Sequence, residues 1–227
     1  MTPRHVVVRA IERADRAAAE ALGALGSATV HEAIGRRGFA GAHLRPIQQG
    51  VRLAGAAVTV SSHPGDNLMV HAAVEACREG DVLVVTHTAP SSHGIFGELL
   101  ATSLMARGVR ALVTDAGVRD TAELRAMGFA VWSQHVSCQG TVKASPGSVN
   151  VPVVLGGVTV HPGDVVCADD DGVVVVPRGE ASAALDLARQ RVAREQATRE
   201  RLAAGELGVD IYGLRATLEA LGVEHRG

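Results

Sequence analysis

The segment from Asp81 to Gln134 constrains the fold more than any other. "DVLVVTH" (81–87), "ALVTDAG" (111–117) and "AVWSQ" (130–134) are short, Val-rich apolar runs of strand length. Between them, "ELLATSLMARG" (98–108) and "TAELRAMG" (121–128) carry helical periodicity and each closes on Gly. The order is β-α-β-α-β. Strands alternating with helices of this length pair in parallel through right-handed crossovers. "TAPSSHGIFG" (88–97) reads as a small-residue loop inside this unit.

The flanks extend the unit. Residues 9–25 read as one helix and "SATVHEAIGRRG" (27–38) as a second, with Ser27 as N-cap and Gly35 or Gly38 as stop. "VRLAGAAVTVSS" (51–62) is a strand interrupted by Gly. Asp66 or Asn67 then caps "LMVHAAVEACREG". From Thr141, short Val runs alternate with Gly-Gly, Pro-Gly-Asp and Asp-Asp-Gly turns, the pattern of antiparallel β structure. A long Arg/Glu/Ala helix follows Pro177 to about Ala204, with a shorter one over "LRATLEALG". Repeats and low-complexity linkers are absent, so 1–227 reads as one α/β domain with a β extension. Residues 178–227 form a helical extension suited to packing on a neighbouring subunit.

Composition narrows the chemistry. A formal net charge of −2 and 2% aromatic residues disfavour nucleic-acid binding, which needs a basic face and stacking rings. Cys77, Cys138 and Cys167 are odd in number and lack a Cys-x-x-Cys pair, against both a disulfide framework and a structural zinc site. No segment approaches a membrane span, and the apolar run near the N-terminus is too short for a signal peptide, so a cytoplasmic protein is expected. No His-x-x-x-His or Gly-x-Ser-x-Gly motif supports a zinc or serine hydrolase. "ADDDG" (168–172) lies between two Val runs and reads as a hairpin turn rather than a metal cluster. Of the 22 basic residues, Lys143 is the single lysine, and its turn-like setting offers no apolar pocket for an imine-forming amine.

Ligands of open parallel sheets bind beyond the carboxyl ends of the strands. Two loops meet that condition, "FGELL" and "VRD". The helix starting near Glu98 leaves the N–H groups of Leu99 and Leu100 without helical partners, a ready carboxylate site behind Gly97. Arg119 can fork onto the same anion, and Asp120 and Glu98 offer hard oxygen ligands for a Mg²⁺-like ion. Taken singly, each has a plain alternative. Glu98 complements a helix dipole, Asp120 caps "TAELRAMG" with Glu123 as its capping-box partner, and Arg119 is a surface ion-pair partner. Their joint placement is what favours a site.

"ATVHEAIGR", "SSHPGDN", "FGELLATS", "ARGVRALVTDAGVRD", "MGFAVWS", "QGTVKASPGSVNVPV", "GDVVCADDDGVVVVP" and "RLAAGELGVDIYG" follow in order. Together they resemble the 4-hydroxy-4-methyl-2-oxoglutarate / 4-carboxy-4-hydroxy-2-oxoadipate aldolase family, class II pyruvate aldolases that also decarboxylate oxaloacetate. That family shares its fold with the regulator of ribonuclease E activity A. The resemblance spans about Ala28 to Gly213 and implies a layered α/β/β/α swivelling-type fold. It further implies that Asp120 binds a divalent metal, Mg²⁺ or alternatively Mn²⁺, and that Arg119 contacts the pyruvyl group. Leu99 and Leu100 amides, next to Gly97, would hold the substrate carboxylate, and Glu98 would orient water beside the metal. Glu32 and Glu195 resemble acids supplied by a neighbouring subunit of a homotrimer or homohexamer, with Glu200 an alternative to Glu195. Asn67 and His71 match pocket positions. The family usually has Asp where this chain has Glu98, so the carboxylate is displaced by about a bond length. The remaining readings are a non-catalytic regulator of ribonuclease E, a related lyase for another 2-oxo acid, and a methyltransferase. The last is disfavoured by the lack of a Gly-x-Gly turn.

Overall fold

In a computed structural model, which describes residues 5–226, the parallel run forms the middle of a nine-stranded sheet. Helices α1 (Arg16–Leu25) and α2 (Ser27–Ala33) come first, then β1 (Arg45–Pro46), β2 (Leu53–Ser62), α3 (Leu68–Ala73) and β3 (Val82–His87). They are followed by β4 (Gly94–Phe96), α4 (Glu98–Met105), β5 (Ala111–Val118), α5 (Thr121–Ala126) and β6 (Ala130–Val136). The β-rich stretch supplies β7 (Ser148–Val149), β8 (Val153–Leu155), β9 (Val158–Val160), β10 (Val165–Ala168) and β11 (Val173–Val176). Helices α6 (Ala181–Ala203), α7 (Gly208–Ile211) and α8 (Arg215–Ala220) end the chain.

The sheet order is β1-β6-β5-β3-β2-β10-β11, with β4 added beside β5 and β7 beside β2. Strands β2, β3, β5 and β6 are mutually parallel. Every crossover among them advances in the same direction, so the right-handed rule places α3, α4 and α5 on one face. Their Val70, Leu100, Leu104 and Leu124 share a core with Val58, Leu83, Leu112 and Val131. Side chains alternate along a strand, so Ala57, Val84, Val113 and Trp132 face the other way, into a second core with Val153, Leu155 and Val160 of the β8–β9 hairpin. Strands covered on both faces lose the polar half of the alternation, which is why "VLVV" is apolar throughout. A third core joins α1, α2 and the first turns of α6 to β10 and β11. The result is a mixed α/β fold with layered cores, as expected.

Local departures have identifiable causes. The first helix starts at Arg16, not near residue 9, with Asp15 accepting from Ala18 N at 2.8 Å. Upstream, Arg13 is drawn out of helical register to fork onto buried Asp81, 2.8 Å from each carboxylate oxygen. The cap of α2 is Gly26, not Ser27, because the Ser27 N–H and hydroxyl both donate to Asp169. The acidic run is a hairpin turn between β10 and β11, and Asp169 in it serves α2. The stretch read as a loop over 88–97 contains β4. Nor is the β extension separate, since β10 pairs antiparallel with β2 and continues the main sheet.

Two compact units are present, 1–188 and 189–227. In the second, Arg201 pairs with Glu206 and Arg215 with Asp210. No helix of the described residues is long and apolar enough to cross a membrane. Asp81 also accepts from Arg78 N at 2.7 Å, so its removal leaves the part-buried Arg13 guanidinium without its carboxylate and the Arg78 amide without its acceptor. Asp81→Ala is expected to lower unfolding free energy by about 3–5 kcal/mol in urea denaturation.

Candidate functional site

Four strand ends deliver the residues of one cleft. Asn67 and His71 come with α3 after β2, and Gly97, Leu99 and Leu100 open α4 after β4. Arg119 and Asp120 follow β5, and Lys143 sits in the loop after β6. Together with Ile95 and Phe96 they line a cavity of about 160 Å³.

The short strand β4 makes this convergence possible. Gly94 and Phe96 pair with Gly117 and Val118, and Arg119 N donates to Phe96 O at 2.9 Å. The α4 start is thereby laid against the end of β5. Gly97 is required by proximity, since its backbone is extended (φ −161°) but a Cβ there would lie 2.2 Å from Asp120 Oδ2. Asp120 occupies the left-handed region (φ 54°), which Asp tolerates better than most residues. Its side chain makes no cap bond to α5, so the capping-box alternative is overturned. Instead Oδ2 accepts from Glu98 N at 3.2 Å and lies 3.7 Å from Arg119 Nε. The first bond within α4 runs from Ala101 N to Gly97 O, so the Leu99 and Leu100 N–H groups precede it and remain available to an anion.

The opposite approach is organised by Asp66, which is fully buried. Its carboxylate accepts from Leu68 N (2.8 Å), Ala144 N (2.8 Å) and Ser145 N (2.6 Å). Burial alone would raise its pKa, but these N–H groups outweigh it and hold the carboxyl below the usual aspartate range. Asn67 N donates to Val142 O and Val142 N to Gly65 O, both 3.1 Å. The loop carrying Lys143 is thus fastened to the start of α3. Sequence reasoning treated Asp66 as a cap and set Lys143 aside as a turn residue; the one signal available was that Lys143 is the only lysine.

Asn67 is 7% exposed, and its Nδ2 donates to Ile95 O at 3.0 Å. That bond fixes the amide orientation and leaves Oδ1 a buried acceptor with no partner among the described residues. An unmet buried acceptor costs about 1–3 kcal/mol, which a ligand donor would recover. The pKa of His71 is lowered by burial and then by the Lys143 charge, so it is neutral near pH 7.

Two expected acids of the first unit, Glu98 and Glu32, do not line the cleft with their side chains. The Glu98 side chain is exposed and only its backbone engages Asp120. Glu32 pairs with Arg36 at 3.0 Å. Glu195 belongs to the second unit, where it pairs with Arg191 at 2.7 Å. No three His, Cys, Asp or Glu side chains of the described residues gather into a metal cage. The oxygens the cleft does offer, the Asp120 carboxylate and Asn67 Oδ1, are hard and few. They suit Mg²⁺, which keeps several waters and binds through one or two carboxylates plus substrate.

At the ends of β3 and β5, His87 N donates to Asp115 Oδ1 at 3.1 Å. Burial pushes the Asp115 carboxyl up to about 6. Burial, aided by the charges of His93 and His63, brings His87 down to about 4. A carboxyl raised in the folded state stabilises the fold fully below its ordinary value, and that contribution is lost as pH rises through about 6. Asp115→Asn keeps the acceptor without the charge. Its melting temperature is expected to exceed the wild type's at pH 7.5, with the gain shrinking at pH 4.5.

A layered α/β fold with a cleft at its strand ends, lined by open amides, a guanidinium and a carboxylate, defines the class. The chain belongs to the RraA-like family, Aldolase/RraA, whose family model matches residues 27–175 and so includes every cleft-lining residue. A Halalkalibacterium halodurans protein, provisionally named 4-hydroxy-4-methyl-2-oxoglutarate aldolase, is 30% identical over 178 residues, 78% of this chain and 82% of that protein. Streptomyces coelicolor RraAS2, described as an unusual member of the RNase ES inhibitor RraA protein family, has 31% identity and a TM-score of 0.74. That match covers 84% of this chain and 99% of RraAS2. An uncharacterized Pseudomonas syringae protein shares the fold with a TM-score of 0.76 at 24% identity, over 86% and 92% of the two chains.

Because alanine accepts the Gly97 backbone angles, Gly97→Ala is expected to fold normally. Its added methyl group should displace the Asp120 carboxylate and, if Asp120 holds Mg²⁺ as the family resemblance implies, weaken that binding about 10–100-fold by calorimetry.

Proposed function

We propose that the cleft is the active site of a divalent-metal-dependent carbon–carbon lyase. Its substrate is 4-hydroxy-4-methyl-2-oxoglutarate or 4-carboxy-4-hydroxy-2-oxoadipate, cleaved to pyruvate and a second 2-oxo acid, with oxaloacetate decarboxylated as a side reaction. The observation that carries this reading is the convergence of Arg119, Asp120 and the open N–H groups of α4 on one cavity. The family relatives with an aldolase name support it.

Retro-aldol cleavage must accommodate the electron pair left on carbon 3 of the pyruvyl half. The Leu99 and Leu100 amides hold the substrate carboxylate, and Arg119 forks onto the 2-oxo acid head. Its guanidinium is a fixed positive charge where negative charge grows on the 2-oxo oxygen. Mg²⁺ or Mn²⁺, held by Asp120, would supply Lewis-acid polarisation of the same group. Asn67 Oδ1 remains an unfilled acceptor in the cleft. A carboxylate then takes the hydroxyl proton: Glu98, or Glu32 or Glu195 of a neighbouring subunit in a homotrimer or homohexamer. The bond between carbons 3 and 4 breaks, its electrons pass to carbon 3 and the 2-oxo oxygen, and carbon 4 departs as a ketone. Return of that proton to carbon 3 yields pyruvate and restores the carboxylate. Oxaloacetate needs no hydroxyl proton removed: its ionised 4-carboxylate departs as CO₂ and leaves the same electron pair on carbon 3 and the 2-oxo oxygen. Lys143 is exposed and lacks the desolvated setting of an imine-forming amine.

A regulatory reading rests on the 31% identity to RraAS2, from an RNase ES inhibitor family. One experiment separates the two. Pyruvate release from 4-hydroxy-4-methyl-2-oxoglutarate and from oxaloacetate is expected with Mg²⁺ or Mn²⁺ and none with EDTA. Arg119→Ala and Asp120→Ala are expected to lose about 10³-fold or more, and Arg119→Lys to recover little because the planar fork is gone. Full turnover in Asp120→Ala rules out the assigned metal position. No turnover with any metal, together with binding to ribonuclease E, favours the regulator.

A further inference from the structure

Lys143 is unused by the chemistry above, yet it lines the same cleft as Arg119. It arrives from a different wall, the loop that Asp66 fastens to α3 through the Ala144 and Ser145 amides. A surface loop gains little from a buried carboxylate with three N–H partners unless the loop must be held in one place.

The charges of the cleft give the reason. Arg119 lies 3.7 Å from Asp120, whereas Lys143 has no ion-pair partner among the described residues. The neighbouring His71 is kept neutral by burial and by the Lys143 charge, so it does not answer that charge either. A 2-oxo acid with one carboxylate satisfies the Arg119 end and leaves the ammonium unmatched. A 2-oxo acid with a second carboxylate, on the fragment that leaves, satisfies both.

We infer that Lys143 is a specificity-determining residue that receives a second substrate carboxylate, and that Asp66 is the residue positioning it. The inference rests on the lyase reading for what the ligand is, but its test does not depend on turnover. Pyruvate and 2-oxoglutarate share the 2-oxo acid head, and only the latter carries a second carboxylate. In calorimetry with Mg²⁺ present, the wild type is expected to bind 2-oxoglutarate about three- to fivefold tighter than pyruvate, the size of one partly exposed charge pair. Lys143→Met is expected to erase that preference with pyruvate affinity unchanged, and Lys143→Arg to keep most of it. Asp66→Asn should reduce the preference ratio with Lys143 still present, a readout that general loosening of the fold would not move. Absence of a wild-type preference, or equal weakening of both ligands in Lys143→Met, overturns the inference. A preserved preference without pyruvate release from 4-hydroxy-4-methyl-2-oxoglutarate sinks the lyase reading and leaves Lys143 in place; turnover without preference does the reverse.

Discussion

One carboxylate oxygen, Asp120 Oδ2, joins two loops that belong to different crossovers. It accepts from the first amide of α4 while its own backbone leads from β5 into α5. The contact exists because Gly97 has no side chain and because β4 brings α4 against β5. Without it, the guanidinium and the open amides would sit on separate loops with no common target. The left-handed backbone at Asp120 follows from the same demand, since the carboxylate has to turn back toward α4 rather than forward onto α5.

The energetic consequence is preorganisation. A small anion entering the cleft meets donors that are already oriented, so little ordering entropy opposes binding. The remaining unsatisfied groups, Asn67 Oδ1 and the Lys143 ammonium, lie in the same cavity and point to a ligand with both a donor and negative charge. Asp66 extends this preorganisation to the far wall. It does so through backbone amides rather than ion pairs, which makes it insensitive to salt.

Much of this was legible beforehand. The β-α-β-α-β core, the Gly-terminated helices and the Asp-Asp-Gly hairpin all follow from local periodicity and turn chemistry, which neighbouring residues encode. Arg119, Asp120 and the amides of α4 could be paired because both loops sit at carboxyl ends of parallel strands. What escaped was non-local. Strand β4 is three residues long and exists only through its pairing with β5. The late start of α1 reflects Arg13 reaching 68 positions along the chain to Asp81. Lys143 entered the cleft through amides bound by Asp66, 78 and 79 positions away, and no spacing rule encodes such a tie.

The uniform direction of the crossovers has a further consequence. Because each parallel strand is laid beside the previous one, Asn67, the α4 amides and the Arg119–Asp120 pair follow one another along the sheet edge in chain order, whereas Lys143, the last of them in sequence, returns to the α3 end. Asn67 comes first, then the α4 amides, then Arg119 and Asp120, and Lys143 last. The first and last of these segments therefore meet, so the loop after β6 closes a ring around the cleft rather than lengthening a row.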